Sequence, residues 1–143
     1  MASYFYLFPK LVQTSKTTEY KNVVITLERT ACYGTCPDYR LTIYGDGRIV
    51  YEGKKFVEVT GLQTAQLSQD KIKQLINEFS RIDYFSLKDE YTESVPDLPT
   101  TITSITINGK AKKVVNYHGA PKKLDELENK IDEITNSKSW VWE

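Results

Sequence analysis

The sequence predicts an α+β domain in which a mostly antiparallel sheet of about six strands packs against two helices, in the order ββββαββα. Three observations lead to this fold class. Short β-branched runs alternate apolar and polar residues, turns rich in Gly and Asn join neighbouring runs, and two later segments repeat apolar residues at helical spacing. Strands joined by tight turns pair antiparallel, whereas parallel strands need long crossovers, so a parallel βαβ core is not expected.

The first half of the chain predicts four strands. Residues 22–29 contain the β-branched run VVITL, and residues 39–44 alternate apolar with polar side chains. The sequence GDG at residues 45–47 predicts a tight reversal, followed by a third strand at residues 49–51. Alternation resumes at residues 56–60, which predicts the fourth strand.

A helix and an irregular connection follow. Ser68 is a suitable N-cap for a helix that ends near Arg81, and its apolar stripe comprises Ile72, Leu75, Ile76 and Phe79. Residues 82–91 are rich in aromatic side chains and have no clear period, and residues 93–99 form a turn-rich loop. We expect both segments to be connections rather than regular elements.

A hairpin and a second helix complete the fold. Strands at residues 100–107 and 112–117 flank Asn108 and Gly109, a strong two-residue hairpin signal. A strict two-residue turn sets Ile105 opposite Lys112, which leaves the register open. Pro121 suits the first position of a second helix, whose core stripe comprises Leu124, Leu127, Ile131 and Ile134.

Length and composition predict one globular domain. The chain has 143 residues, of which 40% are hydrophobic and 27% charged. A chain of this size can bury about two-thirds of its unfolded surface around one core. We therefore expect a single domain over residues 1–143, with an N-terminal arm or edge strand at 1–20, a core at 22–136 and a Trp-rich tail at 137–143.

Charge and hydropathy narrow the range of partners. Nineteen basic residues balance nineteen acidic ones, so the surface lacks the positive charge that nucleic acid requires. No segment approaches the roughly 20 apolar residues that span a bilayer, so membrane insertion is not expected. The apolar residues 2–12 lack a basic n-region, which predicts a cytoplasmic protein or one exported after signal removal. The expected partner is an unidentified protein or small ligand, and the oligomeric state stays open.

Both cysteines lie in the segment CYGTCPDY, at the bend between the first two strands. This segment, the glycine-rich hairpin after it and a later Trp140 resemble a domain-of-unknown-function family marked by C-Y-G-x-C-P-x-Y near its N-terminus. The resemblance covers roughly residues 23–140. It implies a shared fold and cysteine bend, and because the family has no assigned activity it carries over no catalytic roles.

Three interpretations of Cys32 and Cys36 stay open. One turn through Gly34 would bring their Cα atoms to about 6 Å, within disulfide reach, and the bridge would add only about 2 kcal/mol of stability. A disulfide suits an exported protein, whereas in the cytosol the thiols would serve as small core residues. The third interpretation is a thiol-redox pair or, with His118 as the chain's single histidine, a copper site of soft ligands. No cofactor is expected otherwise.

The ten tyrosines suit either the cover of a small sheet or a binding surface on its outer face, for which the candidates are Tyr33, Tyr44, Asp38 and Asp97. Tyrosine offers a large contact area with a polar tip at low entropic cost. No two-histidine site, nucleophile elbow or phosphate-binding loop occurs, so an enzyme is not favoured. The sequence therefore favours a non-catalytic binding or scaffolding module, with a copper-binding or thiol-redox protein as the alternative.

Overall fold

The structure, a computed structural model, describes residues 20–142. In this part of the chain a seven-stranded sheet packs one face against two main helices, which confirms the α+β class. The strands are β1 (Val24–Arg29), β2 (Asp38–Tyr44), β3 (Arg48–Lys55), β4 (Gly61–Gln66), β5 (Glu90–Thr92), β6 (Thr101–Ile107) and β7 (Lys110–His118). The helices are α1 (Gln69–Arg81), α2 (Lys122–Thr135) and the short α3 (Lys138–Val141), with a 3₁₀ turn at Tyr84–Ser86.

The strand order is β4-β3-β2-β1-β6-β7-β5, and every neighbouring pair except β5 and β7 is antiparallel. The parallel strand β5 lies in the segment that the sequence predicts to be irregular. Three residues are too few to show a period of two, and their pairing partner lies more than twenty positions away. The sheet therefore has one strand more than the six expected.

The predicted fourth strand at residues 56–60 is wrong. β3 continues to Lys55, Phe56 turns with a φ of 56°, and β4 begins only at Gly61. The backbone N–H groups of Glu58 and Val59 donate to carbonyls of the C-terminal segment, at 3.2 and 2.8 Å. The alternation in residues 56–60 thus reflects packing against the end of the chain rather than pairing with β3.

The second hairpin has the register that a strict two-residue turn requires. Asn108 and Gly109 both adopt positive φ, at 52° and 75°, and Ile105 pairs with Lys112. Lys112 is accommodated because its Nζ donates to the Leu87 carbonyl at 2.6 Å and to an Asp89 carboxylate oxygen at 2.7 Å. The ammonium group is thereby paired at the sheet edge.

Both main helices cover the same face of the sheet and contact each other. The predicted N-cap is confirmed, since the Ser68 side chain accepts from the Lys71 N–H at 3.2 Å. Both predicted stripes lie in the core, with Ile76 only half buried. Within residues 20–142, no helix covers the opposite face of the sheet, and none combines the length and apolar character that crossing a bilayer demands.

The C-terminal tryptophans differ in environment. Trp140 packs on the core with its ring 4.9 Å from the ring of the fully buried Tyr51. Trp142 is 53% exposed. The predicted N-terminal arm lies outside the described residues, apart from Tyr20.

Candidate functional site

A row of polar side chains crosses the sheet where β1 ends. Arg29 lies directly opposite Tyr39 on one side and Thr101 on the other, and Thr101 lies opposite Asn116. Residues directly opposite one another point to the same face of a sheet. Because Tyr39 is buried beneath the helices, this polar row (Tyr39, Arg29, Thr101, Asn116) faces α2.

Asp132 of α2 binds the centre of the polar row. Its Oδ2 accepts from Nε and Nη2 of Arg29 at 3.0 and 2.8 Å. Its Oδ1 accepts from the Tyr39 hydroxyl at 2.8 Å and from the Ser137 hydroxyl. The carboxylate is buried, and each of its oxygens has two donors. Asp132 therefore ties three separate elements together: β1, β2 and the turn after α2.

Electrostatics hold both partners of Asp132 in their protonated forms. Burial, the largest single effect, would lower the pKa of Arg29, but the Asp132 carboxylate together with smaller contributions from Tyr39 and Glu128 outweighs it, and the pKa is raised. Burial and then the same carboxylate raise the pKa of the Tyr39 hydroxyl far above its usual range. Tyr39 therefore remains a hydrogen-bond donor across the physiological pH range.

A second carboxylate of α2 meets the far end of the polar row. Asn116 donates from Nδ2 to Glu128 and to Asp125, both at 2.9 Å. Burial, which dominates, raises the pKa of Glu128 to about 7, although the Asn116 hydrogen bond and the Arg29 charge act in the opposite direction. Glu128 is thus a buried acid that titrates near neutrality.

A cavity of about 470 Å³ opens beside Arg29. The cysteine bend and residue 99 form one wall, α2 and the C-terminal segment form the other, and the Arg29, Tyr39 and Asp132 side chains form the floor. The remaining lining residues are Cys36, Pro37, Pro99, Thr101, Asn129, Glu133, Lys138 and Trp142.

The cysteine bend has the compact form that the sequence predicts. Cys32 and Cys36 are disulfide-bonded, with Cα atoms 5.6 Å apart. The φ of Gly34 is not positive, and a Cβ at this position would lie 3.8 Å from the Cys32 Sγ, an ordinary contact. The bend therefore does not depend on the special conformational freedom of glycine, contrary to expectation.

The predicted surface residues do not form one site. The backbone N–H of Tyr33, whose side chain is 92% exposed, donates to the Asp97 carboxylate at 2.9 Å. Asp38 is the first residue of β2 and lies close to Tyr33 in sequence. Tyr44 is the last residue of β2, about 20 Å from Asp38 at the usual rise per strand residue. The Arg48 guanidinium covers the Tyr44 ring at 4.3 Å. The structure thus brings Tyr33 and Asp97 together and separates Tyr44 from them.

The proposed copper ligands are not assembled in this disulfide-bonded form. Over residues 20–142, no group of three or more His, Cys, Asp or Glu side chains is arranged to hold a metal ion. His118 lies at the end of β7, and its Nε2 is 4.0 Å from a Glu93 carboxylate oxygen. Copper binding by the reduced cysteines stays a prediction.

Sequence reasoning missed Arg29 and Asp132, although a signal for both exists. Arg29 continues the inward alternation of Ile25 and Leu27, and Asp132 is one position from the stripe residue Ile131. A cation and an anion at core positions of two predicted elements indicate a buried pair, because neither charge is stable there alone. Arg29 is identified by its place in the strand alternation, whereas Asp132 lies at the margin of the helical stripe and is recognised only as a partner for Arg29.

Reducing the disulfide is expected to cost about 2 kcal/mol of unfolding free energy, because the bridge closes a loop of only five residues. Urea denaturation with and without dithiothreitol measures this loss. The Cys32→Ser, Cys36→Ser double variant, which cannot form the bond, serves as the control and should not respond to the reductant. A loss well above 4 kcal/mol would show that the bond holds more than the bend.

Comparison with known protein families identifies a match over most of the chain. A family described as Domain of unknown function (DUF6438) matches residues 23–135, in agreement with the resemblance that the cysteine motif carries. No curated protein matches the chain.

Proposed function

The chain belongs to the DUF6438 family, and we propose that it is a non-catalytic module that binds a small organic ligand in the cavity beside the cysteine bend. The volume of about 470 Å³ supports this proposal, because small-molecule sites usually measure about 300–1,000 Å³. Apolar surface from Pro37, Pro99 and Trp142 makes up part of its lining, beside polar and charged side chains that can orient a ligand.

Arg29, which lines the cavity, supports the ligand class because its guanidinium has a spare hydrogen-bond donor. A guanidinium carries five N–H groups, two of them on Nη1. Nη1 of Arg29 donates to Thr101 Oγ1 at 3.2 Å and has no other acceptor among the described residues. Its second N–H is therefore free to meet a ligand acceptor. This donor is the observation that carries the proposal.

The walls indicate the rest of the ligand. Pro37, Pro99 and the half-exposed Trp142 present apolar surface, and Trp142 offers a face for stacking. Lys138 adds one cation and Glu133 one anion, so the lining has no strong charge preference. The ligand that fits has a planar apolar body and one hydrogen-bond acceptor.

Binding rather than catalysis is favoured by the state of the titratable groups. Both oxygens of Asp132 are occupied by donors, and the Ser137 hydroxyl is one of these donors. The Tyr39 hydroxyl stays protonated, as its raised pKa requires. No group on the cavity floor is thus free to act as a general base, and the Glu133 carboxylate of the wall is paired with Lys130 at 3.5 Å.

Benzamide and benzoate provide a matched pair of probes, because they share a planar apolar ring and differ in the charge of the acceptor. We expect both to shift the ¹H–¹⁵N NMR signals of the Trp142 indole and the Arg29 Nε, with affinities on the order of millimolar for ligands of this size. Trp142→Ala should abolish the response.

Tyr44→Ala is the matched control, since it removes an aromatic ring at the opposite end of β2. It should leave the titration unchanged. If neither probe perturbs the cavity signals, or if Trp142→Ala binds as well as the wild type, the cavity does not bind this ligand class and the proposal is wrong.

A further inference from the structure

One edge of the sheet, as residues 20–142 form it, is unprotected. β4 (Gly61–Gln66) is the outermost strand, and among residues 20–142 nothing pairs with its free side. Edge strands usually carry charges, prolines or bulges that block pairing with another strand. β4 contains none of these, and the uncharged run around it extends from Val59 to Gln69.

The alternation of hydrogen bonds along β4 shows which of its backbone groups face the free side. The Leu67 N–H donates to the Gly47 carbonyl at 2.7 Å, in register with the β3–β4 pairing. Hydrogen-bonded pairs alternate along an antiparallel ladder, so Gly61, Gln63 and Ala65 bond to β3. The N–H and C=O groups of Leu62, Thr64 and Gln66 therefore point away from the sheet.

We propose that this edge pairs with β4 of a second copy of the chain, antiparallel, about a two-fold axis at Thr64. Thr64 then lies opposite the Thr64 of the second copy, and Leu62 lies opposite the second copy's Gln66. Each of these pairs exchanges two backbone hydrogen bonds. The two sheets join into one continuous sheet.

Charge favours a second copy as the occupant. About a two-fold axis, each copy of β4 faces an identical strand. A charged edge would therefore meet like charge, whereas the uncharged β4 does not. The other sheet edge, β5, has three residues and carries Glu90, so it offers no comparable self-pairing surface. The chain's formal charge of zero adds no long-range repulsion between copies.

The side chains at the edge are compatible with this pairing. Leu62 is 67% exposed and would be partly covered beside its partner strand. Two threonines directly opposite one another form a favourable cross-strand pair. Thr64 is exposed in the monomer, so substitutions there test pairing without disturbing the core.

Two variants that carry opposite charges at Thr64 test the proposal. In sedimentation velocity we expect the wild type to show a concentration-dependent monomer–dimer equilibrium. Thr64→Lys and Thr64→Glu should each be monomeric, because like charges meet at the axis, and an equimolar mixture of the two should regain the dimer. Circular dichroism of each variant should match that of the wild type.

Amide hydrogen exchange locates the interface. In the dimer the amides of Leu62, Thr64 and Gln66 should become protected, while those of Gln63 and Ala65 are protected in both states. A wild type that stays monomeric at all concentrations overturns the proposal. A dimer that survives Thr64→Lys also overturns it, because it must use another surface. A monomer that dimerises only after residues 1–19 are removed would assign the edge to the chain's own N-terminal segment instead.

Discussion

Replacing Asp132 by alanine is expected to lower the free energy of unfolding by about 3 to 5 kcal/mol, the usual cost of removing one partner of a buried ion pair. The Arg29 guanidinium would lose its counterion, and the hydroxyls of Tyr39 and Ser137 would lose their acceptor. An unpaired buried polar group costs more than the net value of the hydrogen bond it made. Urea denaturation of Asp132→Ala measures the loss.

Glu126→Ala is the matched control, because it removes an exposed carboxylate from the same helix. Its effect should stay within about 0.5 kcal/mol, as for most surface substitutions. Arg29→Met closes a double-mutant cycle with Asp132→Ala. The two losses should be strongly non-additive, since both variants remove the same contact. Additive losses, or a loss below about 1 kcal/mol for Asp132→Ala, would show that the pair contributes little.

The elements that the sequence predicts correctly are those that local interactions specify. Asn108 and Gly109 accept the positive φ that a two-residue hairpin needs, and Ser68 supplies an acceptor at the first turn of α1. The apolar stripes of both helices repeat at 3.6 residues and therefore mark the buried face directly. The cysteine bend belongs to the same class, because its two ends are only four residues apart.

The elements that the sequence misassigns depend on distant partners. Residues 56–60 alternate like a strand, but their backbone groups bind the C-terminal segment more than eighty positions away. β5 exists only because β7 passes beside it. In both cases the local pattern is compatible with more than one structure, and a long-range contact decides which one forms.

The candidate site shows the same limit. Arg29 and Asp132 are 103 residues apart, and no motif links them. The strand register places Arg29, Tyr39 and Thr101 in one row, and the packing of α2 then sets Asp132 over it. The cavity depends on both steps. Opposite charges near the core positions of two predicted elements are the signal that the sequence itself carries.

Glu128, the other buried acid of α2, should make the stability of the domain depend on pH. The pKa of Glu128 rises from 4.5 to about 7 in the folded state, mainly through burial. Arg29 and Asn116 act from the sheet to lower it, and Asp125 and Asp132 raise it from the same helix. Because the folded state holds this proton more tightly than the unfolded state, the group stabilises the fold fully below pH 4.5. That contribution is lost as the pH rises to about 7.

Glu128→Gln is therefore expected to stabilise the domain at pH 8 relative to the wild type, by up to about 3 kcal/mol for a shift of this size, and to have much less effect at pH 4. The amide oxygen still accepts from Asn116, while the charge that burial disfavours is gone. Urea denaturation of both proteins between pH 4 and pH 8 measures the difference. Glu126→Gln, on the exposed side of α2, should show no such pH-dependent gain. A Glu128→Gln effect that is equal at pH 4 and pH 8 would mean that Glu128 ionises in the folded domain as readily as in the unfolded chain, and that Arg29 and Asn116 fully compensate its burial.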